Sequence, residues 1–90
     1  MYAIDYTEKA IENLIQLRDN EPKAYAKAQR LIEELKEHPR TGTGKPEPLK
    51  GDRAGQWSRR ITNKHRLVYQ ISDLEVLVLV LTAYGHYDDK

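Results

Sequence analysis

Ninety residues without a cysteine leave room for one domain with one core, and they exclude a disulfide framework or a thiolate metal site. No apolar run approaches the roughly 20 residues that span a bilayer, so a soluble, cytoplasmic domain over residues 1–90 is expected. The net charge of +1 hides a basic middle, because residues 38–71 carry eight Lys/Arg against two Asp/Glu while both flanks are acidic. A patch of that sign attracts phosphate groups or an acidic protein partner.

Residues 2–6 read as a short edge strand. Thr7 then offers an N-cap hydroxyl, with Glu8 in the first turn where the helix dipole favours an acid. Ala10, Ile11, Leu14, Ile15 and Leu17 mark a helical stripe running to about Arg18. Asn20 and Pro22 end that helix and begin another, whose stripe is Tyr25, Ala28, Leu31, Ile32 and Leu35 and which stops at His38, before Pro39. Residues 40–56 look irregular. From Trp57 the period changes to two: residues 57–62 and 66–71 alternate as strands around a turn near Asn63 and Lys64. After Ser72 and Asp73, the apolar run 76–83 suits a strand buried on both faces and therefore central in a sheet. The order is β-α-α-β-β-β, an α+β domain with two antiparallel helices packed on one face of a mainly antiparallel twisted sheet.

Parity assigns faces. If Leu67, Tyr69 and Ile71 face the helices, Arg66 points to the opposite side. One of the neighbours Arg59 and Arg60 then shares that side, which makes a cationic surface opposite the helices.

The sequence has no glycine-rich phosphate loop, and its three histidines, His38, His65 and His86, lack metal-ligand spacing. No metal or cofactor is expected. Acid–base chemistry on a phosphodiester remains open. It needs a base for an attacking 2′-hydroxyl, cations for the phosphate, and an acid for the departing 5′-oxygen. Glu47, Arg66 and His86 could serve in that order, and His86 could equally be the base if other groups hold the phosphate. Each also has a plain structural reading, as a loop acid, a solvated strand residue and a tail residue. Glu47 stands out because Pro46 and Pro48 bracket it, which biases Lys45 and Glu47 toward extended backbone. Trp57, at strand parity, reads as a structural aromatic.

The run GKPEPLKG, followed by GQWSRRI, HRLVY and a terminal HY, resembles the Txe/YoeB family of bacterial toxins within the RelE-like fold. The match runs over residues 44–69 and resumes at His86 and Tyr87. The resemblance implies a ribosome-dependent mRNA endonuclease, or interferase, paired with a YefM-like antitoxin whose acidic segment covers the basic face. Its other partners would be the 70S ribosome and mRNA in the decoding site, with a homodimer left open and no membrane. By the family pattern Glu47 falls on the general base, Arg66 on the phosphate-stabilising arginine and His86 on the general acid. Lys50, Arg59, Arg60 and Tyr87 fall on positions that support substrate and phosphate binding. The alternative is a non-catalytic RNA- or ribosome-binding module, or an antitoxin-binding protein, using the same face.

Overall fold

The computed structural model describes residues 1–85, so the expectations for His86 and Tyr87 lie outside the described residues. The elements in chain order are β1 (Ala3–Tyr6), α1 (Glu8–Asn20), α2 (Pro22–Leu35), β2 (Glu47–Pro48), a 3-10 turn (Gly51–Arg53), β3 (Gln56–Arg60), β4 (Arg66–Ser72) and β5 (Leu77–Thr82). They build one five-stranded sheet in the order β1-β5-β4-β3-β2. Only the β1–β5 pair is parallel; the other pairs are antiparallel. The first strand is an edge, as expected; the last is interior but one place from that edge, between β1 and β4, and the central strand is β4. The added strand β2 is two residues long and begins with the residue between the prolines.

Thr7 starts α1 and also ties it to the sheet. Its hydroxyl oxygen accepts from the Ala10 amide at 3.0 Å and donates to the Leu81 carbonyl at 2.8 Å. Leu81 lies at a bulge, where the β4–β5 register shifts between Val68 and Tyr69. Pro22 occupies the first turn of α2, where no backbone N–H is needed. That helix ends at Leu35 rather than His38, although the amides of residues 36–38 still reach the carbonyls of Glu33 and Glu34.

Both helices pack on one face of the sheet. The core joins Ala10 and Leu17 of α1, Ala24, Ala28, Leu31, Ile32 and Leu35 of α2, and Leu67, Tyr69, Val78 and Val80 of the strands. The α1 stripe is rotated from the expected one. Asn13 is buried and its side-chain oxygen accepts from the Ala83 amide at 3.0 Å, whereas Ile11 and Ile15 are 48% and 44% exposed. On β5, Val78 and Val80 are fully buried, and Leu77 and Leu79 are half-buried on the other side. That strand therefore has one fully dry face, not two. Among the described residues no helix is long and apolar enough to cross a membrane.

Candidate active site on the sheet

Register fixes what shares the face away from the helices. Glu47 lies opposite Ser58, Ser58 opposite Val68, and Val68 opposite Thr82, a row crossing four strands. Two residues further along, Arg60 lies directly opposite Arg66. Directly opposed residues project from the same face, so Glu47, Arg60 and Arg66 stand on one side of the sheet. With strands about 4.8 Å apart and about 3.4 Å per residue, the Glu47 and Arg66 backbones are about 12 Å apart, with Arg60 between them. That separation suits a phosphate held between the two side chains better than a direct ion pair.

The surroundings prepare these groups differently. Glu47 is exposed and makes no ion pair with a described residue. Arg66 is half-buried, and its guanidinium donates from one nitrogen to the Thr62 carbonyl at 3.0 Å and more weakly to the His65 carbonyl at 3.4 Å. The backbone thus orients one edge of the guanidinium, and no described residue takes the other edge, the geometry from which arginine binds a phosphate in bidentate fashion. Arg60 is exposed. Two like charges directly opposite destabilise a sheet unless an anion joins them.

Lys50 is exposed just after β2, at the start of the 3-10 turn. Lys45 departs from the expectation of extended backbone before Pro46: its φ is 51°, in the left-handed region. The turn from Gly44 into β2 requires this, because the Gly44 carbonyl accepts from the Arg60 amide at 2.7 Å. Glu47 itself is extended, as the flanking prolines predict.

Arg59 corrects the sequence reading. It lies on the helix side of β3, is fully buried, and cannot present its charge to a phosphate. All five of its N–H donors meet protein acceptors. Nε donates to the Tyr69 hydroxyl at 3.0 Å. One terminal nitrogen donates to Glu34 and to the Thr43 carbonyl, and the other to the carbonyls of His38 and Thr41. The Tyr69 hydroxyl in turn donates a hydrogen bond to the Pro39 carbonyl at 2.9 Å. Arg59 is therefore the clamp that shapes residues 38–43, the segment leading to Glu47. Burial raises the Glu34 carboxyl, but bonds from the Thr43 amide and hydroxyl and from Arg59 outweigh it and hold the group below its ordinary range. Gly42, at φ 114°, leaves the room this needs, since a Cβ there would lie 2.3 Å from a Glu34 oxygen.

A second hub went unread in the sequence. His65 is 2% exposed and joins three parts of the chain. Its Nδ1 accepts from the Gly85 amide at 2.8 Å, and its Nε2 lies 3.0 Å from the Glu21 carboxylate at the α1–α2 junction. An amide N–H can only donate, so Nδ1 is unprotonated and the ring proton sits on Nε2, facing Glu21. That hydrogen bond is the main reason the Glu21 carboxyl sits below its ordinary range, against the opposing effect of desolvation. The Tyr84 ring packs on the imidazole with centroids 4.3 Å apart. The Gly85 carbonyl in turn accepts from the Arg66 amide at 2.9 Å. The only sequence signal for His65 was its place beside Arg66 in HRLVY.

Two helices on one face of this mixed sheet, with a cationic opposite face, define the RelE-like toxin fold. A family model described as the YoeB-like toxin of bacterial type II toxin–antitoxin systems matches residues 6–87. Toxin YoeB of Streptomyces coelicolor is 43% identical over 84 residues, 93% of this chain and 98% of that protein. The structure of a YoeB/ParE toxin from Agrobacterium tumefaciens superposes with a TM-score of 0.89 at 38% identity, covering 94% of this chain and 99% of that one. The Staphylococcus aureus YoeB is 31% identical and has been solved both in complex with YefM, at a TM-score of 0.82, and as a dimer, at 0.84. Its coverage of this chain is 97% and 96%, and 99% and 98% of that chain is matched. The chain belongs to the YoeB family of type II toxins.

Proposed function

We propose that this toxin is a ribosome-dependent mRNA endonuclease. The observation that carries the reading is the placement of Glu47, Arg60 and Arg66 on one sheet face, with an exposed acid and an oriented guanidinium on strands two apart. In the reaction, Glu47 removes the proton from the RNA 2′-hydroxyl. The resulting oxygen attacks the adjacent phosphorus, and the bond to the 5′-oxygen breaks. The products are a 2′,3′-cyclic phosphate and a 5′-hydroxyl, the latter protonated by His86. Arg66, with Arg60 and Lys50, stabilises charge on the non-bridging oxygens. Tyr87 supports the same substrate. The nucleophile belongs to the RNA, so proton transfer and electrostatics are what the protein must supply.

The basic face suits an acidic antitoxin segment, and the family includes a member solved with YefM. We take a YefM-like antitoxin as the neutralising partner, the 70S ribosome carrying mRNA as the target, and a homodimer as a further state. The test is expression of Glu47→Gln and His86→Gln variants in growing cells. Growth arrest should be lost while ribosome association persists. Undiminished arrest in both variants would leave a binding module as the reading of this face.

A further inference from the structure

The mechanism uses neither His65 nor Glu21, yet the imidazole is almost completely buried and both ring nitrogens are committed. We infer that His65 is a positioning residue for the cleavage step, fixing the backbone at Gly85 from which His86 departs. This rests on the acid–base reading above. Gly85 is held from both sides. Its N–H is taken by His65 Nδ1, and its carbonyl accepts from the amide of Arg66, the phosphate-binding residue. The anchor therefore ties the start of the terminal segment to the strand that carries Arg66.

Glu21 gives the imidazole its direction. Only the tautomer protonated on Nε2 leaves Nδ1 free to accept, and the carboxylate at 3.0 Å selects that tautomer. The α1–α2 junction, far from Arg66 in sequence, thereby reaches Gly85 through one ring. A general acid must be placed to within fractions of an ångström to be effective, and two hydrogen bonds hold the Gly85 backbone, one residue before it in sequence, more firmly than one. Buried aromatic histidines can also be simple packing. The two nitrogens allow these roles to be separated.

Asparagine carries its amide oxygen where Nδ1 lies, and glutamine carries its amide nitrogen where Nε2 lies. His65→Asn thus keeps the acceptor for Gly85 and loses the Glu21 bond, whereas His65→Gln does the reverse. Both lose the ring, so both should lower the unfolding temperature by similar amounts. Two readouts then decide: hydrogen exchange of the Gly85 amide, and single-turnover cleavage of mRNA on ribosomes. His65→Gln should speed Gly85 exchange at least tenfold and lower the maximal cleavage rate by roughly 10- to 100-fold, with half-saturating ribosome concentration unchanged. His65→Asn should keep slow exchange and cut within about threefold of the parent. Parent-like exchange and cleavage in His65→Gln, or equal losses in both variants, would overturn the inference. Failure of the parent itself to cut would overturn the catalytic reading, and Gly85 exchange would still decide the anchor.

Discussion

Arg59 and Arg60 are consecutive residues with opposite fates, because successive side chains on a strand leave from opposite faces. Arg60 stands exposed beside Arg66, while Arg59 is buried with every donor paired. Removing Arg59 strands a partly buried carboxylate and several carbonyls, a change that costs about 3–5 kcal/mol where a buried pair is broken. Arg59→Met should therefore lower urea stability by that much, and Arg60→Met should stay within about 0.5 kcal/mol of the parent while weakening RNA cleavage. Comparable unfolding midpoints for the two variants would refute the clamp. The sequence left this choice open. Parity stated that only one arginine faces away from the helices, but identifying which one required the register of Tyr69 and the loop carbonyls. The Glu34 partner was invisible because it lies 25 positions away.

At the scale of elements, the strand and helix order was legible from periodicity, and the misses have physical reasons. Strand β2 is too short to show alternation and contains a proline. The α1 stripe admitted two rotations about the helix axis. Ala10 and Leu17 are buried as expected, Asn13 joins them by accepting from the Ala83 amide, and Ile11 and Ile15 are left exposed. Tyr6, Ile11, Leu14, Ile15, Arg18 and Tyr25 line a shallow cavity of about 170 Å³ on the exposed side. Thr7 joins α1 to the bulge on β5 through two hydrogen bonds. Thr7→Ala should cost about 1–2 kcal/mol, the worth of an N-cap plus one further bond, and Thr7→Ser should restore most of it in thermal unfolding.

The link between the irregular segment and the sheet also predicts a pH response. Asp73 is held below its ordinary carboxyl range, first by Arg40 and then by the Tyr2 hydroxyl, and Glu34 is held low by the Thr43 and Arg59 bonds against burial. A carboxyl depressed in the fold adds stability that is complete above its unfolded value and is lost as the pH falls through the folded one. Urea midpoints should therefore hold from neutrality to about pH 5 and fall below about pH 4. Glu34→Gln should be less stable than the parent at pH 7, with the gap narrowing at pH 3. A gap that stays constant with pH would show that the ionised Glu34 contributes nothing.

For the molecule as a whole, the candidate site was more legible than its support. The motif residues Glu47 and Arg66 share the face away from the helices, two strands apart, and Arg59 leaves it. The groups that hold them are scattered through the chain: Thr62 and His65 on the turn before β4, Glu21 between the helices, and Glu34 at the end of α2. Such groups have ordinary composition and no local spacing, so only the fold reveals them. The proposed chemistry lies on the face away from the helices, and the Arg59 clamp lies on the helix side. The most direct test of that chemistry is primer extension on a message bound to ribosomes, with the parent, Glu47→Gln and Arg60→Met proteins at equal folded concentration. The account predicts new 5′ ends within the ribosome-bound codons for the parent, none for Glu47→Gln, and none when ribosomes are omitted. Equal cutting by the parent and Glu47→Gln would contradict it.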